Sequence, residues 1–308
     1  MAYEVKKSAT SLSWDAVQAE VMTLMATLRS GEQVMAEPDF VRDKATYGIF
    51  VIVLFATNWG IRLLFAELIV RLGLPVRPKQ RLKFAQSVVE ALTYGAFSVM
   101  GVNVLRTQEW IWPSSQWWVG FSTGSHSLMR ADLRCFYILY LARYSQAIVS
   151  VFIEAKRKDF LQMVLHHVVT VLVILISYAF GFNRVGVVVM VLLDPADVPL
   201  HLAKLCKYMA SACTKHSGLW QSLADRLFEF FGATFFVTRL VCFGYVCWSS
   251  HIEADRYFPK TSASRACVSL LYTLLCLQMY WMHLILKVAL TLIAGKRVED
   301  VRSDDESE

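Results

Sequence analysis

Long apolar stretches separated by short polar ones run the length of this chain, and they show neither the strict alternation of a strand nor the single stripe of a surface helix. The stretches reach about 20 residues or more, the length an α-helix needs to cross the hydrocarbon core of a bilayer. Several hold at most one or two ionisable side chains. The pattern predicts seven membrane-crossing helices at 47–70, 85–105, 133–153, 160–182, 184–205, 227–248 and 266–294, making an all-α, polytopic transmembrane bundle. Ahead of the first span, Trp14, Val17, Val21, Leu24, Met25 and Leu28 recur at helical spacing with polar residues between them. That segment reads equally as a helix lying on the membrane surface or as one packed against the bundle.

Composition agrees with the pattern. Of 308 residues 56% are hydrophobic, and the mean hydropathy is +0.44, which excludes an ordinary soluble globular domain. The expected divisions are an N-terminal segment at 1–45, the first span and a basic loop at 46–84, the main membrane domain at 85–295 and an acidic tail at 296–308. The opening residues lack a basic stretch followed by a long uncharged core, so no cleaved signal peptide is expected.

The net charge of +6 changes the picture by setting an orientation. Arg71, Arg77, Lys79, Arg81 and Lys83 fill the loop between the first two spans without an acid, and Lys156, Arg157 and Lys158 crowd the next loop on that side. Lys204, Lys207, Lys215, Lys296 and Arg297 follow on the same side. Positive charge in short loops marks the cytosolic face, so the expectation is a lumenal N-terminus and a cytosolic C-terminus. The seven cysteines are scattered, without a CxxC pair, and read as free thiols rather than bridges or metal ligands.

Ionisable groups inside a bilayer are costly and mark functional sites. His166 and His167 fall six or seven residues into the fourth span, about 10 Å deep at about 1.5 Å per residue, and Asp197 lies at a matching depth from Lys204 on the fifth. The tight connection at 181–183 predicts that these two spans are antiparallel neighbours, so that a histidine meets Asp194 or Asp197. Pro195 and Pro199 predict a kink or break in the fifth span, freeing the carbonyls of Val191 and Pro195 for a polar ligand.

At these residues the chain resembles the ceramide synthases. It carries KRKDF at 156–160, HHVVT at 166–170, SY at 177–178, RVG at 184–186, LDPAD at 193–197 and LHLAKLCKY at 200–208, in the family's order and spacing. FFVTRL at 235–240, the helix containing YWMHLIL and the acidic tail continue the likeness. Leu193, Ala196 and His201 depart from the family's HDxSD and LExAK patterns, and only residues 71–83 join the first two spans, where many animal members carry a homeobox-like insert. The resemblance implies transfer of a fatty acyl group from acyl-CoA, as co-substrate and with no bound cofactor or metal, to the amine of a sphingoid base. It implies catalytic roles for His166, His167, Asp194 and Asp197, and substrate contacts from Lys156, Arg157, Lys158, Ser177, Tyr178, Arg184, Lys204, Tyr208, Arg239 and Trp281. It further implies the endoplasmic reticulum membrane as location, membrane lipids as surroundings, and no nucleic-acid partner, with an oligomer or a small regulatory subunit left open. The loop at 249–265 is implied to influence acyl length.

A histidine in this setting fits two roles: general base for the amine, with an aspartate fixing its tautomer, or nucleophile giving an acyl-imidazole. Two other classes share parts of this pattern. A G-protein-coupled receptor shares the seven-span topology, but here the loop at 181–183 has no cysteine and the last span no proline. A non-catalytic lipid-binding or lipid-sensing member of the same membrane family is the nearer rival, kept open by Leu193, Ala196 and His201.

Overall fold

The computed structural model describes residues 22, 35–36, 38–74, 76–121, 128–154 and 158–293. The amphipathic N-terminal segment, Lys156, Arg157 and the acidic tail lie outside them. Among the described residues seven helical stretches are long and apolar enough to cross a membrane: Phe40–Arg71, Arg81–Leu105, Ala131–Ile153, Phe160–Ala179, Asn183–Ala212, Ser217–Arg256 and Ser262–Thr291. The expected spans all appear, several of them longer than expected. Hydropathy reports the part of a helix within the bilayer, and polar flanks extend it in both directions; the sixth begins at Ser217 rather than 227.

We number the helices α1 (Phe40–Arg71), α2 (Arg81–Leu105), α3 (Ala131–Ile153), α4 (Phe160–Ala179), α5 (Asn183–Leu193), α6 (Asp197–Ala212), α7 (Ser217–Phe235), α8 (Phe243–Trp248) and α9 (Ser262–Ile293). Asp39 starts α1 by accepting the free amides of Val41 at 2.9 Å and Arg42 at 3.2 Å through its carboxylate. A two-residue antiparallel pair, Met35–Ala36 with Met129–Arg130, joins the segment before α1 to the start of α3. α3 lies against α1 and α4, and α4 lies against α3 and α9.

Gly181, at φ 78°, lets the chain leave α4 in the left-handed region and re-enter α5 within a few residues. α4 and α5 do touch, as the short connection predicts. The fifth span then breaks where its prolines predict, with α5 ending at Leu193 and α6 starting at Asp197. Beyond the break, α6 packs chiefly on α2 and α7, so the antiparallel pairing with α4 holds for the α5 half of the span.

The sixth span is also irregular. α7 passes into a π-helical segment, Phe236–Cys242, then α8, a second π segment at Ser249–Glu253 and a 3-10 turn at Ala254–Arg256. The segment 249–265, expected as a loop, is therefore helical through Arg256. Its end is pinned by side chains from the connection between α2 and α3: Trp118 Nε1 donates to Ser249 Oγ at 2.9 Å, and Ser114 Oγ to Glu253 Oε2 at 2.7 Å. All seven cysteines are free.

Candidate functional site

Within the bundle, on the side where α4 begins, lies a cavity of about 150 Å³, walled by residues from every span. Its lining includes His166, His167, Asp197, His201, Lys204, Arg239, Gln278 and Trp281. Ionisable groups at membrane depth are costly, which makes this wall the candidate site.

The two histidines are 9% and 7% exposed. Their rings lie 5.5 Å apart, and Tyr144 of α3 stands beside both, at 6.1 Å from His166 and 5.7 Å from His167. Trp281 of α9 meets His166 edge to face at 5.2 Å. Trp281 is itself oriented, because its indole N–H donates at 3.3 Å to Asp159, a carboxylate 1% exposed at the mouth of α4. The aspartate of KRKDF thus acts on the histidine through the tryptophan. Nδ1 of His166 is buried and, among the described residues, has no hydrogen-bond partner.

The expected meeting of Asp194 with a histidine is corrected here. Asp194, 1% exposed, accepts from Arg143 Nη1 at 2.6 Å and from the Tyr140 hydroxyl at 3.1 Å, so both its oxygens are engaged by α3. The Arg143 guanidinium lies 4.3 Å over the ring of Tyr94 and 4.6 Å over that of Phe97, which shields its charge with aromatic faces. Asp197 accepts from Arg239 Nη2 at 2.5 Å. The physical reason lies in the break: it leaves Asp194 between α5 and α6, turned to α3, while Asp197 at the start of α6 lines the chamber together with both histidines.

The break also releases a carbonyl that the prolines alone did not point to. The amide of Asp197 turns back to Asp194 O at 3.0 Å, leaving Leu193 O to Arg239, whose Nε approaches it at 2.9 Å and whose Nη2 also donates to it. Arg239 sits in the first π segment, where the extra residue in the turn alters which side chains face inward; such segments recur at functional sites. One guanidinium therefore ties the sixth span to both sides of the break in the fifth.

Several residues implied as substrate contacts are placed elsewhere. Ser177 lies hydrogen-bonded to the Tyr137 hydroxyl at 2.6 Å, and Gly186 leaves room for that pair, since a Cβ there would fall 1.7 Å from the same hydroxyl. Tyr178 donates to Asp43 of α1, which is also paired with Arg134. Arg184 donates at 2.7 Å to the carbonyl of Gln116 and at 3.1 Å to that of Val119. The SY and RVG motifs thus serve packing at the end of the bundle away from the histidines. Tyr208 packs near Phe84, ring centroids 6.2 Å apart, and Lys158 is exposed.

Sequence reasoning passed over Arg62, which is 2% exposed and contacts Glu90 of α2 and Glu154 at the end of α3, both at 2.5 Å. All three line the cavity, so α1 is part of its wall. An arginine and a glutamate in mid-span were the available signal. Tyr94, Tyr144 and Gln278 carried none, being uncharged residues in helices already read as apolar.

Fold and site define a polytopic helical membrane protein with a chamber lined by polar residues among its spans. The TLC domain family model matches residues 83–287, and the chain belongs to that family. Relatives include ceramide synthase 5 of Homo sapiens, 34% identical over 233 residues, and ceramide synthase 4 of Bos taurus, 32% identical over 232 residues. Each match covers 75% of this chain and 56% of the relative, so the chain spans about half the length of these proteins. Ceramide synthase 1 LOH3 of Arabidopsis thaliana is 29% identical over 245 residues, covering 75% of this chain and 77% of the relative.

Proposed function

We propose that this protein transfers a fatty acyl group from acyl-CoA to the amine of a sphingoid base, giving an N-acyl product within the membrane. The observation that carries the reading is the pair of buried imidazoles, His166 and His167, side by side on the wall of a polar cavity in an otherwise apolar bundle. Membership of the TLC domain family and likeness to ceramide synthases supply the reaction class. A chamber of about 150 Å³ suits a thioester carbonyl and an amine head group, with the lipid chains running out among the helices.

A histidine nitrogen attacks the thioester carbon, the carbonyl electrons move to oxygen, and collapse expels the CoA thiolate, leaving an acyl-imidazole. The amine then attacks the same carbon, the electron pair returns to the imidazole, and the ammonium proton leaves, balancing the thiolate as CoA thiol. Engagement of Asp194 by Arg143 and Tyr140 favours this route over a base oriented by that carboxylate. Trp281 holds the ring of His166, and the Arg239 contacts hold the shape of the chamber. CoA is polyanionic, and Lys156, Arg157, Lys158 and Lys204 give it a basic approach from the side on which α4 begins. The location that suits this chemistry is the endoplasmic reticulum membrane with that side facing the cytosol.

The reading is tested by incubating purified protein with sphinganine and a panel of acyl-CoAs and weighing the products. N-acyl sphinganine with release of CoA is expected. Binding of either lipid without product would assign the chamber to lipid sensing.

A further inference from the structure

Gln278 lies on α9 one turn before Trp281, is 0% exposed, and lines the same chamber as the two histidines. Its side-chain oxygen faces Nη1 of Arg239 at 3.5 Å. A guanidinium only donates, so the oxygen must be the end of the amide turned to Arg239, and the –NH₂ end is turned away from it. That nitrogen is buried and has no hydrogen-bond partner among the described residues. A buried donor left unmet by the protein calls for a partner from outside it, a water or a ligand, and Gln278 lies on the wall of a chamber able to supply one.

Acyl transfer requires such a donor. When a nucleophile adds to a thioester, negative charge develops on the carbonyl oxygen, and the imidazole nitrogen that attacks the carbon or takes the proton does not donate to that oxygen. Residues three apart on a helix share a face, so Gln278 projects beside Trp281, whose ring touches His166. Arg239 fixes the amide from behind, and Arg239 is in turn fixed by Asp197 and Leu193 O. The donor is therefore oriented before substrate arrives, the condition under which oxyanion stabilisation is effective.

Resting on the acyl-transfer reading, we infer that Gln278 is a catalytic residue, its Nε2–H donating to the thioester carbonyl oxygen as that oxygen becomes an oxyanion. The same contact serves the amine's addition to an acyl-imidazole, where the same oxygen again takes the charge. No proton is transferred by the amide. As the tetrahedral species collapses the carbonyl re-forms, the thiolate or imidazole leaves with its electron pair, and the donor returns to its starting state.

The test uses full-length protein in detergent with sphinganine and palmitoyl-CoA, comparing wild type, Gln278→Met and Gln278→Glu. Methionine keeps the volume without the donor. Glutamate keeps the shape and the contact with Arg239 but sets an acceptor against the oxyanion. The expected result is a fall of about a hundredfold in kcat for Gln278→Met and a larger fall for Gln278→Glu, with KM for acyl-CoA changed less than about threefold. A merely structural glutamine predicts the opposite order, because glutamate pairs with Arg239 better than methionine does. Gln278→Glu decides the matter if the methionine variant does not fold. Product from wild type, undiminished in Gln278→Glu, overturns the role of Gln278 alone; absence of product from wild type overturns the acyl-transfer reading and this inference with it.

Discussion

Arg143 and Asp194 form an ion pair 2.6 Å long with side chains only 8% and 2% exposed, joining the middle of α3 to the break in the fifth span. Removing one member of a buried pair strands the other charge, a loss of about 3–5 kcal/mol, whereas replacing both with apolar residues is often neutral. Arg143→Met and Asp194→Leu are each expected to destabilise the folded protein by that amount, and the double variant to recover most of the loss. Thermal unfolding in detergent gives the cycle directly. Additive losses would mean that the pair is not an energetic unit.

Arg239 meets Leu193 O and Asp197 with a forked guanidinium, which an ammonium cannot reproduce. Arg239→Lys is expected to keep the charge yet leave a buried carbonyl under-satisfied, costing about 1–3 kcal/mol. Activity should drop more than about tenfold, because the walls of the chamber shift. Wild-type turnover and stability in this variant would remove Arg239 from the account.

Much of the fold was legible in the sequence, for a physical reason: a spanning segment has to satisfy its own backbone and be apolar over a fixed length, and both demands are local. The break at Pro195, with Pro199 in the first turn of α6 beyond it, was legible on the same local grounds. The partners of Asp194 and Asp197 were not. They depend on which helix lies against each half of the broken span, and α6 left α4 for α2 and α7. The π segment that sets Arg239 inward also leaves no pattern in hydropathy. Asp159, noted only as part of a motif, acquires a task through Trp281, a contact made across the bundle.

The basic loops predict an orientation that protease protection can read. In sealed microsomes a tag at residue 308 is expected to be cleaved and a tag before Trp14 to be protected. The reverse pattern would place the opening of α4 on the lumenal side and remove cytosolic CoA from reach of the chamber.

The covalent route makes a separate claim. With acyl-CoA alone, the peptide carrying His166 and His167 should gain the mass of one acyl group as CoA is released, and sphinganine should then discharge it. Product formation with both substrates but no adduct under rapid quench would assign the histidine to base catalysis instead.

The central claim is that the paired imidazoles perform the transfer, and the most direct measurement compares His166→Ala and His167→Ala with wild type. Purified proteins, matched for folded content, are given sphinganine and palmitoyl-CoA, and N-acyl product is counted by mass. Loss of an imidazole that acts as nucleophile or base removes about a hundredfold or more in rate. The account predicts that loss in at least one variant with the unfolding midpoint little changed. Full activity in both would contradict it.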